Sequence, residues 1–587
     1  MAQIINPLTA ITVTEDDLKA YVTQKDIELQ SDFSQRLNGI ANKVGTGKKI
    51  AGYEILRDFF DGDQWSFSRA DGIQPRVYNY CRTTVLNYTS FLANESPEDD
   101  VPPRDNNDDL EVSRAEEVEK ILLAVKEDNE FPVVFTEAVQ NQSLLGDCFI
   151  FGPYVEWKFV GTRKTGKKDK EGSEITEKVK IPRIRFKNIK KPENVRIIWA
   201  DEDYNEMIGF ILYYRVATEK AEKIYQEQMK KRDIKTLASD VSSTQETGAS
   251  FSTVKVFWNA RFLMAMVDNK VLDFVEHNWG FIPGIFVKNI SHSTRPWGIS
   301  DIEDILDPQV EYNEAAAATR GKINQVAIPH IFYSGESAPI EYEAGQAQMI
   351  KIGPEDRIFP DPMGQSTAPF ENYQTTRKQD IHHISMISEI FHGSAMTAKA
   401  TGRALSVLMQ GVNNKVKGKQ QYWKVALKKL NGHILRLIEL YVPDSKQIIQ
   451  GYYKTDIFFP SILIRNITEE INKFNMKLQS QYTTMKNLGI PSPKEELKIM
   501  KREWDDTSLM IEISRNPAFR MQVQQMMAEM MAARVGGGPA QGPMLTEAEG
   551  GAGRTAEEEL PASAPKVPQQ APISQGGAIS QRASRGI

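Results

Sequence analysis

The chain has 587 residues, enough for several domains, and its 40% hydrophobic and 26% charged residues are typical of a soluble globular protein. Its formal net charge of −6 is mild, and its two cysteines argue against a disulfide framework or a cysteine-ligated metal site and fit a reducing compartment. The first ten residues show no secretory signal and no run of 18 apolar residues occurs, so we expect neither export nor a membrane span.

The first 150 residues predict short helices joined by loops, because apolar residues recur at helical spacing. An acidic, proline-containing loop separates the second helix from the third. Glycines at two of the helix ends supply the expected stop signals. The predicted helices are 53–65, stopped at Gly62, then 77–94, 113–129 and 131–145, the last ended by Gly146.

Between residues 148 and 275 the pattern changes to short β-branched and aromatic runs separated by turn signals. Most neighbouring runs have no helical pattern between them. We therefore predict a largely antiparallel sheet with one inserted helix at 219–231. The predicted strands are 148–160, 179–186, 195–199, 208–216, 254–258, 262–267 and 271–275.

Long helical patterns begin after Trp297. Ser300 and Glu303 have the spacing of a capping box, which predicts a helix over 301–325 that Pro308 should kink or delay. A run of small side chains in this helix would let another helix approach closely. These are Ala315, Ala316, Ala317 and Ala318.

A second helix is predicted at 375–391, after short strands and turns at 328–362. Its apolar side contains Ile381, Ile384 and Ile387. A small-residue, glycine-containing loop at 392–402 follows, and then a very long helical pattern over 403–441 that Pro443 ends.

The segment 390–438 contains nine basic residues and no acidic one. Average composition would place about six acids in a window of this length, so the depletion indicates a polyanion or an acidic surface nearby. A solvated helix face is the alternative explanation of the charges alone. The basic residues are Lys399, Arg403, Lys415, Lys417, Lys419, Lys424, Lys428, Lys429 and Arg436.

The last third predicts a strand-like stretch at 452–464 and a helix at 468–488. Ser492, Pro493 and Glu495 then mark another helix start, and a methionine-rich helix is predicted at 519–534. Residues 535–587 contain few large apolar side chains, so we expect them not to bury a core.

Apparent catalytic motifs in the sequence fail on inspection. The segment GTRKTGKK at 161–168 has the spacing of a phosphate-binding loop, but Lys168 offers magnesium no hydroxyl and the segment joins two predicted strands. The acidic group around Asp301 is better explained by a helix dipole than by a metal. Adjacent His382 and His383 point about 100° apart on a helix and cannot easily share one ion. We therefore predict no catalytic site, metal or cofactor.

Five segments stand out by their order along the chain: FFDGDQW at 59–65, NYTSFLANESPEDDVPP at 87–103, WGISDIEDILDPQVEYNEAAAATRGKINQ at 297–325, HHISMISEIFHGSAMTAKATGRALSVLMQG at 382–411 and KGKQQYWKVALKKLN at 417–431. Together they resemble the portal proteins of tailed bacteriophages, over roughly residues 50–530. The resemblance implies an α+β, predominantly helical portal fold in a ring oligomer. The long tail after Arg534 is the departure that it does not explain.

Carried onto this chain, the resemblance implies an α/β wing, a two-helix stem, a small β-containing clip and a helical crown. The implied divisions are the wing at 1–296, stem helices at 297–326 and 372–391, the clip at 327–371, a tunnel loop at 392–402, a long wing helix with a returning strand at 403–467, the crown at 468–534 and a flexible tail at 535–587.

The function implied is a non-enzymatic dodecameric channel at one capsid vertex, which nucleates the head, admits and ejects double-stranded DNA and attaches the tail. Its implied partners are the terminase large subunit, the major capsid and scaffolding proteins and a head–tail adaptor, in a virion assembled in the host cytoplasm. Two alternatives stay open: a DNA-processing phage enzyme, such as a nuclease or terminase subunit, and a capsid or scaffold component without DNA contact.

The few aromatic residues among the cations argue against base stacking, so we expect contact with phosphates alone. The resemblance also implies roles for individual residues. The DNA-facing residues would be Lys399, Thr401, Gly402 and Arg403 of the tunnel loop. The stem would pack through Ala315 to Ala318, Ile381, Ile384 and Ile387. The cations between subunits, or lining the channel, would be Lys415, Lys417, Lys419, Lys424, Lys428 and Lys429.

Overall fold

The computed structural model divides the chain into two compact units, Met1–Pro493 and Lys494–Ile587. Only four residues of the second unit are described, so the architecture is that of the first. The predicted methionine-rich helix and the tail lie outside the described residues. The structure describes residues 13–44, 52–67, 75–105, 107–168, 174–234, 236–237, 250–267, 270–327, 331–333, 349–351, 368–387, 410–459, 467–487, 496–497 and 499–500.

The chain opens with a long helix that the apolar pattern did not predict, α1 (Glu15–Val44). Thr14 and Asp17 cap its start, because the hydroxyl accepts from the Asp17 backbone N–H at 3.2 Å while the carboxylate accepts from the Thr14 backbone N–H at 3.2 Å. Leu18 and Val22 are fully buried against a sheet, whereas most of the helix is polar. So few buried positions explain why periodicity missed it.

Four helices form where the sequence predicts them: α2 (Gly52–Asp61), α3 (Tyr80–Ala93), α4 (Asp109–Asp128) and α5 (Phe131–Leu145). Local side chains set their ends. The Asp108 carboxylate accepts from the Leu110 N–H at the start of α4, and Gly146 adopts a φ of +87° directly after α5.

The predicted antiparallel sheet exists, and its strands β4 to β8 are neighbours in chain order. In place of one inserted helix, the short helices α6 (Thr218–Ile224) and α7 (Gln226–Lys231) follow its second strand. The strands are β4 (Val195–Trp199), β5 (Met207–Ala217), β6 (Phe251–Asn259), β7 (Phe262–Val267) and β8 (Lys270–Glu276). Alternate side chains enter two different cores, one of them shared with α1.

A second sheet has the order β3, β2, β9 and contains a long hairpin. It consists of β2 (Asp147–Lys168), β3 (Glu174–Asn188) and β9 (Gly284–Lys288). Among the described residues, β9 pairs with Asp147 to Phe151 of β2, and beyond Phe151 the hairpin has two strands. The chain then runs through the paired strands β10 (Ile290–His292) and β11 (Arg295–Ile299).

Two packed helices follow, α8 (Leu306–Ala327) and α9 (Ala368–Ser385). The first begins at Leu306 rather than at 301, which agrees with the delay expected from Pro308. The second ends at Ser385 rather than at 391, because Met386 has a φ of +57°, which no α-helix accommodates.

Between α8 and α9, β12 (Ile331–Tyr333) pairs in parallel with β13 (Met349–Lys351). The remainder of the predicted clip, at 328–330, 334–348 and 352–367, lies outside the described residues.

The long predicted helix is α10 (Gln410–Tyr441), which is followed by α11 (Pro443–Ile449). Its apolar side is buried in the main core together with α3, α5 and the sheets. β14 (Asp456–Phe458) then pairs with β1 (Glu98–Asp100), so a late segment returns to the N-terminal part.

The single helix predicted at 468–488 is in fact two, α12 (Ile467–Asn475) and α13 (Gln481–Asn487). Lys477 has a φ of +57°, and the Leu478 N–H donates back to the Lys473 carbonyl at 2.9 Å, a closure that ends a helix. In the part of the chain that the structure describes, no helix has both the length and the hydropathy needed to cross a membrane.

Candidate functional site

The nine basic residues of the acid-free segment divide between described and undescribed parts of the chain. Seven of them lie on α10. Lys399 and Arg403, like Thr401 and Gly402, fall outside the described residues, so the DNA-facing role of this loop stays a prediction.

Two lysines of α10 point into the protein toward one buried carboxylate. Lys419 is only 3% exposed and donates to Asp301, while the Lys415 Nζ lies 3.2 Å from the Asp301 Oδ1. The Ser143 hydroxyl donates to the Asp301 Oδ2 at 2.6 Å. Both ammonium groups lie over the ring of Tyr88, at 4.6 and 4.1 Å from its centroid. We refer to these five residues as the Asp301 cluster.

The charges within the Asp301 cluster are strongly coupled. Burial of Asp301 works to raise its pKa, but the nearby Lys419 and Lys415 ammonium groups, with hydrogen bonds from Lys419 and Ser143, outweigh it. The pKa of Asp301 is therefore lowered, and the carboxylate stays ionised. The prediction that Lys419 lies between subunits or lines the channel is wrong, because this cation is buried and paired within its own chain.

The Asp301 cluster also holds both described flanks of the segment that contains the predicted tunnel loop. On the side before the loop, the Tyr88 hydroxyl donates to the Ser385 carbonyl at 2.6 Å, just where α9 ends. His382 reinforces this end, since its Nδ1 donates to the Ile387 carbonyl at 2.8 Å. On the side after the loop, Lys415 is held near the start of α10. One tyrosine thus contacts both flanks.

A second buried ion pair lies next to the cluster. Arg36 of α1 approaches Glu303 at 3.3 Å, and both side chains are less than 5% exposed. Glu303 accepts from the Ser300 backbone N–H at 3.3 Å, while the Ser300 hydroxyl accepts from the Ile302 N–H at 3.2 Å. The predicted capping-box contacts therefore form, but they shape the turn before α8. Within the described ranges, no group of three or more His, Cys, Asp or Glu residues is arranged to hold a metal ion.

A third buried carboxylate, Asp147, fixes the strand that leads into this turn. It accepts from the Gly298 backbone N–H at 2.7 Å. A Cβ at Gly298 would approach the Gly146 carbonyl oxygen to 2.2 Å, so the two backbones meet only because residue 298 is glycine. Burial raises the pKa of Asp147 to about 7, against the opposing influence of Arg36.

The remaining α10 lysines differ in exposure. Lys428 Nζ lies 2.5 Å from the Asp456 carboxylate of the same chain, and both groups are close to half exposed. Lys417 and Lys429 are exposed, and Lys424 is half-buried. One side of α10 is exposed, because exposed residues recur on it at steps of three and four. Apolar and basic side chains alternate along this exposed side. The side comprises Lys417, Gln421, Tyr422, Val425, Lys428 and Lys429.

The residues predicted to pack the stem are mostly buried within one copy. Ala315, Ala316 and Ala317 are at most 7% exposed, while Ala318 is half-buried. Ala315, Ala316 and Ala317 are covered within the chain, where α9 packs against α8. A neighbouring copy therefore cannot contact these three alanines. Ile381 and Ile387 are each 1% exposed, while their predicted role in packing the stem stays a prediction. Ile384 is 42% exposed in the single chain, so its predicted role in stem packing stays a prediction that depends on a neighbouring copy.

Sequence reasoning missed the partners of these charges. Tyr88 lies within the predicted helix 77–94, but neither it nor Ser143 or Arg36 carries a local sequence signal for these contacts. Asp301 was noticed within an acidic group, but its neighbours along the chain do not reveal a lysine 118 residues away.

One comparison with known proteins bears on this arrangement. The family model described as "Phage portal protein, SPP1 Gp6-like" matches residues 76–508, well over half of the chain. The matched range includes the Asp301 cluster and all of α10. No curated protein matches the chain significantly.

Proposed function

The chain belongs to the SPP1 Gp6-like family of phage portal proteins, and from this premise we propose that it assembles as a dodecameric ring around a channel for double-stranded DNA. The ring would occupy one capsid vertex, where a portal ring admits packaged DNA, nucleates the head and later joins the tail. We propose no catalytic step for the ring itself, so that the terminase large subunit supplies the movement of DNA.

The observation that best supports this function is that the Asp301 cluster holds both flanks of the segment 388–409. Because both flanks of the loop contact one buried cluster, the loop would have the same position along the channel axis in every subunit of a ring. Lys399 and Arg403 would then face DNA as a layer of cations, with Thr401 and Gly402 between them. Contacts of this kind engage phosphates without reading sequence, which suits DNA that must slide.

The exposed side of α10 is better suited to contact between subunits than to contact with DNA. Tyr422 is 41% exposed and Val425 is 57% exposed, beside exposed Lys417 and Lys429. Phosphates would not cover such apolar groups, whereas a neighbouring subunit would bury them and could pair with the cations. We propose the same position for Lys424 and Lys428, and place Lys415 and Lys419 within the subunit.

The other partners follow from the family alone. The clip at 327–371 would meet the terminase and, after packaging, the head–tail adaptor. The wing and the crown would meet the major capsid and scaffolding proteins in the virion, after assembly in the host cytoplasm.

The first experiment is electron microscopy of the purified protein in negative stain. Rings with a central hole are expected at assembling concentrations. Monomers or filaments alone would contradict the portal function and favour a DNA-processing enzyme or a capsid component.

The second experiment replaces Lys399 and Arg403 together with Ala. Ring assembly should be unchanged, because neither residue belongs to the Asp301 cluster, while packaging or retention of DNA should fall. The matched control replaces the exposed pair Lys230 and Lys231 of α7 with Ala and should leave both properties intact. Normal packaging by the first variant would remove these two residues from the DNA-facing set.

A further inference from the structure

In the part of the chain that the structure describes, the outer part of the β2–β3 hairpin has no third strand beside it, and its one ring contact with α10 joins Trp157 to Tyr441, with 6.1 Å between the ring centroids. Beyond Phe151, β2 pairs with β3, through residues that run from Tyr154 opposite Arg185 to Lys168 opposite Glu174. A two-stranded ribbon is marginally stable in water unless another surface packs against it. The length of this hairpin therefore indicates a further contact.

Large apolar side chains are exposed on both faces of this hairpin. Trp157, Phe159, Val160 and Ile181 are between 49% and 58% exposed. Trp157 and Phe159 share one face because they are two residues apart, whereas Ile181 lies opposite Lys158 on the other face. Exposed aromatic side chains that share one face of a charged hairpin mark a protein contact.

The hairpin is also strongly basic, with eleven basic and four acidic residues over 157–187. Within the described side chains, Lys158 and Lys180 are exposed beside the apolar group, and Arg183 and Arg185 pair with Asp128 at the end of α4. The surface that covers the hairpin should therefore be apolar and acidic.

The outward side of α4 has these complementary properties. Leu110 is 76% exposed and Leu123 is 56% exposed. Asp109 and Glu127 are exposed about five whole turns apart, and Glu117 is exposed about 80° around the helix from them. The helix as a whole has seven acidic and three basic residues.

We infer that the β2–β3 hairpin of one copy lies on the outward side of α4 of the adjacent copy in the ring. The inference rests on the proposed ring, since two different complementary surfaces on one chain make the head-to-tail contacts from which a closed ring is built. The ion pairs from Arg183 and Arg185 fix the base of the hairpin to its own α4, while its apolar side chains stay exposed in the single chain.

DNA fits the hairpin less well than a protein does, in spite of the positive charge. Val160 and Ile181 offer nothing to phosphates. Double-stranded DNA keeps its bases stacked and so presents no base faces to Trp157 and Phe159. A protein surface would cover Trp157 and Phe159 together, because they lie on one face.

The first test replaces Trp157 and Phe159 together with Ser in the full-length chain. The concentration at which half of the protein is assembled should rise about tenfold or more in sedimentation velocity, because aromatic anchors dominate interfaces. The control is Ile27→Ser on α1, whose side chain is 71% exposed and should not matter for assembly. Circular dichroism confirms that each variant remains folded.

The second test exchanges charges across the proposed contact. Lys158→Glu with Lys180→Glu should weaken ring assembly, and adding Glu117→Lys with Glu127→Lys on α4 should restore it. Carbodiimide cross-linking of mixed ¹⁴N and ¹⁵N wild-type chains should then join hairpin lysines to α4 carboxylates in peptides of mixed isotope content.

Rings that persist in the serine variant, or charge reversals that α4 does not rescue, would overturn the inference and leave the portal function standing. Intact rings that lose DNA would assign the hairpin to DNA instead. Failure of the wild-type protein to form rings at all would contradict the proposed function first.

Discussion

Asp301 is a buried carboxylate with two ammonium groups of one helix beside it. Burying three charges is costly, and such a group contributes less to stability than its short distances suggest. We expect it to favour one position of α10, because a shift of this helix by one turn would leave a buried charge unpaired. The cluster therefore determines where α10 begins relative to α3 and the turn before α8.

We predict that Lys419→Met lowers the free energy of unfolding by about 3 kcal/mol, since removing one partner leaves the Asp301 charge buried with a weaker counterion. Urea unfolding followed by fluorescence measures this change. Lys417→Met on the exposed side of the same helix is the matched control and should change stability by less than about 0.5 kcal/mol. Equal effects of the two substitutions would show that the ion pair does not matter.

The Asp147 carboxyl should give the protein a pH-dependent stability. Its pKa of about 7 in the folded state lies above the ordinary value of 3.8, so between these pH values the folded protein retains a proton that the unfolded chain has released. The free energy of unfolding should thus fall as the pH rises from about 4 to about 7, through this group, and level off above. Asp147→Asn should flatten that part of the profile, and an unchanged slope in urea titrations would contradict the assignment.

The packing of the α8–α9 pair depends on small side chains of α8. Ala317 is 2% exposed on the side of α8 that is covered within the chain. A larger residue at this position must displace neighbouring atoms, because protein interiors leave no free volume of that size.

We therefore expect Ala317→Leu to destabilise the chain by about 1–3 kcal/mol, in contrast to Arg320→Leu on the exposed side of the same helix. Thermal unfolding of the two variants checks this. A stable Ala317→Leu protein would show that α8 and α9 are packed loosely enough to adapt.

At the scale of elements, local signals predicted most helices and strands but not their limits. The end of α5 at Gly146 follows from the glycine in the sequence. The early end of α9 was not predictable, since a left-handed Met386 is not favoured by its side chain and is maintained by contacts of Tyr88 and His382 with the backbone. The long polar α1 was missed because only a few of its residues are buried.

For the whole molecule, one core connects parts of the chain that lie far apart in sequence. Trp423 of α10 is fully buried, its ring lies 4.9 Å from that of Phe135, and its Nε1 donates to the Gln142 side chain at 2.7 Å. α10 is therefore part of the same cooperative body as α5 and the sheets. It is not a separate domain.

Trp423→Ala should cost about 3–5 kcal/mol and should loosen α5 together with α10. Hydrogen exchange read by mass spectrometry would detect faster exchange in peptides from both helices. Faster exchange confined to α10 would contradict the shared core.

The sequence by itself determined the family resemblance, the order of most helices and strands, and the concentration of positive charge around α10. These properties follow from composition, periodicity and caps, which act over a few neighbouring residues. Only the tertiary structure decided that Lys419 points inward, that Ile384 stays exposed and that Tyr88 contacts both flanks of the predicted tunnel loop. Such assignments depend on contacts between residues that are about a hundred or more positions apart in the sequence. The free energy of a buried charge depends on its partner, and only the folded chain places the partner beside it.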